Sequence, residues 1–132
     1  MKKVIFIMMV SLLFAGCANS SAQGSNGGNS YRQVSMDEAI AIMNEQSGYI
    51  ILDVRRADEF AGGHIPGAIN IPNESIGTNE IPELPDKDQM ILVYCRSGRR
   101  SKEASQKLAD LGYTNIVEFG GILDWPGEKV TD

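Results

Sequence analysis

The chain reads as an α/β domain with a central parallel sheet and helices on both faces, and three observations predict it. Two runs, "YIILDV" (49–54) and "MILVYC" (90–95), are apolar without alternation, the pattern of strands buried on both faces. The segment from Arg99 to Leu111 places Ala104, Leu108 and Leu111 on one helical face, with Gly112 as its stop. The chain has 132 residues, 42% of them hydrophobic and 22% charged, enough for one domain with a real core and an extension at one end. Buried strands alternating with helices in so small a unit leave few solutions other than a parallel sheet joined by crossover connections.

Taken in order, the elements begin after a segment that does not belong to the fold. "MKKVIFIMMVSLLFAGC" has Lys2 and Lys3, an apolar run from Val4 to Phe14, and small residues up to Cys17. This is the order of a secretory signal, and the run falls short of the ~20 residues of a spanning helix. Ending on "FAGC", it resembles a bacterial lipoprotein signal, with Phe14 standing where that signal most often has Leu. The resemblance implies cleavage after residue 16, lipid on Cys17 and attachment to the cell envelope; plain secretion and an uncleaved anchor are the other readings. Ala18 in place of Asp after the lipid cysteine implies, in an organism with two membranes, the outer membrane facing the periplasm. Residues 17–30, running through "ANSSAQGSNGGNS", are small and polar without periodicity. They read as a flexible tether of roughly 20 Å r.m.s. span.

The folded domain is expected over 31–132. "VSMDEAIAIMNEQ" offers Ser35 ahead of Asp37 and Glu38 as a helix start, with Ala39, Ile40 and Met43 on an apolar face. "YIILDV" follows as a strand and "RADEF" as one short helical turn. "AINIP" is a second strand stopped by Pro72, and "IPELPDKD" is loop, broken by Pro82 and Pro85. "MILVYC" is the third strand, "NIVEF" the fourth, and "GGILDW" a last turn before Pro126. Phe119, Trp125, Ile40, Met43, Leu108 and Leu111 are the candidate core.

Composition narrows the function. Net charge is −5 with no basic stripe, which argues against nucleic acid as a partner. Two cysteines and one histidine, His64, are too few for a zinc-type site. With Cys17 acylated, Cys95 is the single thiol, so no internal disulfide and no resolving partner exist.

Cys95 ends a buried strand, and "CRSGRRS" carries three arginines into the helix that follows. A structural cysteine has no use for that charge. Gly98 permits the tight turn, the loop's backbone N–H groups form an anion nest, and the helix N-terminus adds partial positive charge. Together these are expected to lower the thiol's pKa from ~8.5 towards or below neutral and to cradle an oxyanion or a persulfide. Asp53 also lies at a strand's carboxyl end, where sites of such sheets form.

"DVR" at 53–55, "EFAGGHIPGAINIP" at 59–72, "VYCRSGRRS" and "GGILDW", in that order, resemble a single-domain rhodanese. The resemblance implies a sulfurtransferase without metal or organic cofactor. Cys95 would take the outer sulfur of a donor such as thiosulfate, release sulfite, and pass the sulfur to cyanide or a thiol acceptor. A carrier that serves a specific partner protein is the alternative. Related phosphatase-type domains resemble C-x5-R; here that arginine position holds Ser101, and the loop resembles the six-residue sulfurtransferase type, Cys95 to Arg100.

The remaining assignments follow from residue type. Arg96 and Arg99 are candidate sulfonate ligands, and Arg100 shapes the loop or recruits acidic donors. Ser97 and Gly98 act through backbone N–H groups. Ser101 caps the helix or donates to the sulfur, capping being the plainer expectation. Asp53 and Arg55 read as structural support, the arginine pairing with Asp58 or Glu59, and His64 as a turn-fixing residue rather than a base.

Overall fold

The computed structural model describes residues 30–132. The segment expected to be a lipoprotein signal, Cys17 and all of the expected tether but Ser30 lie outside the described residues. The order is β1 (Arg32–Gln33), α1 (Met36–Glu45), β2 (Ile50–Asp53), α2 (Ala57–Ala61), β3 (Ile69–Asn70), β4 (Ile91–Cys95), α3 (Arg99–Asp110) and β5 (Ile116–Gly121). Single 3-10 turns follow β3 (Asn73–Ser75) and β5 (Ile122–Asp124). Five strands form one sheet in the order β1-β5-β4-β2-β3, and every pairing within it is parallel.

The sheet has one strand more than the sequence announces. β1 is two exposed residues that pair with Val117 and Glu118, and it carries no apolar signal of its own. The other four strands and the helices stand where the pattern places them. Ser35 caps α1 reciprocally: its side chain accepts from Glu38 N–H, and the Glu38 carboxylate accepts from Ser35 N–H.

Alternation along the strands divides the core in two. Leu52, Val54, Ile91, Val93 and Cys95 point to the face covered by α3, where Ala104, Leu108 and Ala109 pack on them. Ile51, Leu92, Tyr94, Val117 and Phe119 point to the other face, which α1 covers through Ala39. Met36, Ile42 and Met43 complete that contact. The expected α1 face is corrected at one position: Ile40 belongs to neither cluster, since a helix of 3.6 residues per turn brings Met36, Ala39, Ile42 and Met43 to the sheet. Leu111 and Trp125 are partly buried against their clusters rather than fully enclosed.

The sheet's central pair fixes where the thiol sits. β4 and β5 run in register from Ile91↔Ile116 to Val93↔Glu118, then shift so that Cys95 faces Gly121, an irregularity of the kind that re-aims a strand end beside a site. The end of β5 thereby runs against the loop after Cys95. A Cβ on Gly121 would lie 2.0 Å from the Arg96 carbonyl oxygen and 2.6 Å from Ser97 Cα. Only glycine fits that approach. Gly121→Ala is therefore expected to cost about 3 kcal/mol or more in urea denaturation, the range of severe overpacking, and to disorder the 96–98 loop in amide exchange.

Candidate active site

Cys95 is buried, 1% exposed, at the carboxyl end of β4. Three residues separate it from α3, so the chain must reverse at once. Gly98 does this at φ +121°, a conformation L side chains rarely adopt. The turn brings Gly98 N–H to 3.0 Å from Cys95 Sγ. Gly98 is also the N-cap residue of the twelve-residue α3, so the sulfur sits where the helix's unpaired N–H groups and dipole favour negative charge.

Above the sulfur is a pocket of about 390 Å³ lined by Arg56, Glu74, Cys95, Arg96, Ser97, Arg99 and Arg100. Its four arginines are not equivalent. Arg56 is held by Asp58 at 2.9 Å, Arg99 by Glu103 at 2.9 Å, and Arg100 by Glu59 at 2.7 and 3.1 Å. Arg96 is exposed and has no carboxylate partner among the described residues. It is the guanidinium left to meet an anion.

Of the two roles expected for Arg100, its contacts fit shaping the site rather than recruiting a donor. It lines the pocket, but its bidentate bond to Glu59 spends its donors on α2, forty-one residues away in sequence. The pair ties the start of α3 to α2 and shapes the pocket wall. Ser101 is corrected as to capping, while its hydroxyl does lie against the sulfur. It does not cap α3, whose N-cap is Gly98, and it does not line the pocket. It is fully buried behind the sulfur, 3.5 Å from Sγ, where its hydroxyl bonds the Glu118 carboxylate.

Asp53 and Arg55 stand together and do not line the pocket above the thiol. Arg55 donates to Asp53 from its backbone N–H, Nε and Nη2, and Nη2 also reaches the Gly63 carbonyl at 2.8 Å. The expected pairing of Arg55 with Asp58 or Glu59 is corrected, since Arg56 takes the first and Arg100 the second. This buried pair braces the end of β2 against the residues after α2. His64 donates from Nδ1 to the Phe60 carbonyl at 2.9 Å and stacks on the Phe60 ring at 3.7 Å. Its Nε2 faces Asp132 at 3.1 Å, and its backbone bridges Val130. It does not line the pocket above Cys95, so the geometry gives it a bracing position.

Glu118 escaped the sequence reading. "NIVEF" registers as a strand, yet period-two alternation puts Ile116 and Glu118 on one face, and a carboxylate on a buried face is the signal that marked it. No group of His, Cys, Asp and Glu suited to hold a metal occurs among the described residues. No helix among them is long and apolar enough to cross a membrane.

A buried cysteine at a strand end, its sulfur bonded by the Gly98 N–H of a short loop that opens a helix, defines the class of protein. The rhodanese-like domain profile matches residues 35–128. The chain belongs to the rhodanese-like family. It is 37% identical over 79 residues to the thiosulfate sulfurtransferase PspE of Escherichia coli (strain K12), covering 60% of this chain and 76% of that one. The solved structure "rhodanese with anions from E. coli" superposes with a TM-score of 0.58 at 34% identity, covering 64% of this chain and 99% of that one. The human single-domain sulfurtransferase TSTD1 gives 0.63 at 26%, covering 70% and 93%.

The Glu59–Arg100 pair makes a pH prediction. The Arg100 guanidinium, opposed by partial burial and assisted by Arg56 N–H, holds the Glu59 carboxyl down from its ordinary 4.5 to about 2. A folded value below the unfolded one adds stability that is fully present above pH 4.5 and is lost as pH falls through about 2. Glu59→Gln is expected to lower stability by about 1–2 kcal/mol at neutral pH after solvent screening. In urea melts the gap to wild type should close between those two pH values.

Proposed function

We propose that this protein is a sulfurtransferase that carries a sulfane sulfur as a persulfide on Cys95, taken from a donor such as thiosulfate and passed to cyanide or a thiol. The observation that carries this reading is the Gly98 N–H aimed at Cys95 Sγ from 3.0 Å on the floor of an arginine-lined pocket. Named relatives support sulfur transfer as the family's chemistry. The thiolate attacks the outer sulfur of thiosulfate, the S–S bond of the donor breaks, and sulfite leaves with the bonding pair. Cys95 now bears a terminal sulfur with one negative charge, which the loop's N–H groups and the α3 N-terminus stabilise. A nucleophilic acceptor then takes that sulfur and returns the thiolate; with cyanide the product is thiocyanate. Neither half needs a general base once the thiolate exists, and no metal or organic cofactor enters the scheme.

The roles divide by geometry. Cys95 is the nucleophile. Ser97 and Gly98 serve through the loop backbone, and Arg96 binds the donor's sulfonate by charge-assisted hydrogen bonds. Arg99, half-engaged with Glu103 at the exposed rim, attracts anions, while Arg100 holds the wall. Asp53, Arg55 and His64 support the loops. The protein acts in the cell envelope, lipidated at Cys17 and tethered by residues 18–30. That placement rests on the N-terminal sequence and would put the active site in the periplasm if the lipid sits in an outer membrane.

Thiocyanate production from thiosulfate and cyanide tests the reading. Cys95→Ser is expected to abolish turnover. Arg96→Ala is expected to raise KM for thiosulfate about tenfold or more, the worth of one charge-assisted bond, with a smaller change in kcat. A Cys95→Ser variant that still makes thiocyanate sinks the mechanism. Wild-type protein inert to thiosulfate but loaded by a protein persulfide would favour a carrier for a specific partner.

A further inference from the structure

Beside the pocket over Cys95 lies a second cavity, of about 340 Å³, that the scheme above does not use. Arg96 lines both. The rest of the second cavity's wall comes from the turn after β5, the C-terminal segment and the residues around α2. Leu123 N–H donates to the Arg96 carbonyl at 3.2 Å, which fixes that turn to the loop after the thiol. His64 and Val130 exchange backbone hydrogen bonds of 2.8 and 2.9 Å, and Trp125 Nε1 donates to the Glu128 carbonyl at 3.1 Å. These bonds hold the backbone on either side of Lys129. A Cβ built on Gly63 would lie 3.8 Å from Lys129 Cβ, so the lysine's stem starts beside the residues that follow α2.

Pairing sorts the charges of this cavity and leaves two over. Arg55 is spent on Asp53 and on the Gly63 carbonyl. Asp58 is held by Arg56, and Glu59 by Arg100. Arg96 and Lys129 are both exposed and have neither an ion pair nor a side-chain hydrogen bond among the described residues. The same wall carries Leu123, 61% exposed, the one large apolar side chain so exposed among the described residues. An exposed leucine beside two unpaired cations suits a ligand with a short apolar body and an anionic end. The volume stands near the lower limit of small-molecule sites, so the cavity fits a molecule of few atoms and not a peptide.

We propose that this cavity is the subsite of the sulfur acceptor, and that the acceptor it takes is a small thiol carrying a carboxylate. The proposal rests on the reading of Cys95 as the persulfide carrier. Sulfite leaves before the acceptor enters, so Arg96 is free again in the second half of the reaction. The carboxylate sits between Arg96 and Lys129, the short carbon chain lies on Leu123, and the sulfur end reaches past Arg96 to its neighbour Cys95. The acceptor's thiol loses its proton to water, and the resulting thiolate attacks the outer sulfur of the Cys95 persulfide. A new S–S bond forms, the bond to Cys95 Sγ breaks, and its electron pair stays on Cys95 as the thiolate. The acceptor leaves as a persulfide anion, with the same total charge before and after. Two anions must meet in this step, and the two unpaired cations offset their repulsion. Cyanide has neither carboxylate nor carbon chain and uses none of these contacts.

The test uses the full-length protein with thiosulfate as donor and a pair of acceptors alike but for charge, 3-mercaptopropionate and 2-mercaptoethanol. Sulfite release reads turnover with either thiol. Lys129→Glu is expected to raise KM for 3-mercaptopropionate about fivefold over wild type, and KM for 2-mercaptoethanol by less than about twofold. Lys129→Arg keeps the charge and should keep the wild-type values. Lys102→Glu makes the same charge change at an exposed position of α3 outside both cavities, and should move neither constant. Equal shifts for the two thiols, no shift for either, or the same shift from Lys102→Glu overturns the proposal. Thiocyanate formation from cyanide separates the two ways of failing. A wild type active on cyanide that fails the thiol comparison loses this subsite alone. A wild type inert with cyanide and with both thiols loses the Cys95 reading, and the subsite with it.

Discussion

The contact on which the structure depends is the amide of Gly98 against the sulfur of Cys95, 3.0 Å apart. To make it, a buried strand must end, reverse and open a helix within four residues. Gly98 supplies the reversal at a positive φ, and Gly121 leaves the space into which the reversed loop settles. The hydrogen bonds of β4 with β2 and β5 hold the sulfur's own Cα rigid. A flexible loop would have to order itself around each anion; this one is ordered by the sheet beforehand, which is how preorganised electrostatics gain their strength.

Charge around that contact is sorted by pairing. Arg56 and Arg99 are tied to neighbours on their own helices, by exposed pairs that water and salt weaken. Arg100 crosses from α3 to Glu59 on α2 and is part of the scaffold. Arg96 alone keeps its donors for a ligand. The pocket is therefore basic in field but has one open guanidinium, which fits a single small anion better than a polyanion. The wall it shares with Glu74 limits how much negative charge can settle there.

Much of this was legible in the sequence, and the gaps have physical reasons. The apolar runs of β2 and β4, the Gly98 turn and the helical face of α3 are local patterns, so they showed. β1 did not, because two exposed residues become a strand only by pairing with β5. The ion pairs are not legible for the same reason. Arg55, Arg56, Asp58 and Glu59 are neighbours in sequence, and nothing local says that Glu59 belongs to Arg100, forty-one residues on. Ser101 looked like a helix cap because serine near a helix start usually is one; its burial against β5 depends on the crossover. Glu118 was visible as a charge on a buried face, but a strand reading by composition passes over it.

The measurement that tests the account most directly is the intact mass of the folded domain, 31–132, before and after exposure to thiosulfate, beside the same domain with Cys95→Ser. The account predicts that wild type gains the mass of one sulfur atom, that cyanide removes it, and that the variant gains nothing. A wild-type mass that does not change, or a gain that persists without Cys95, would contradict it.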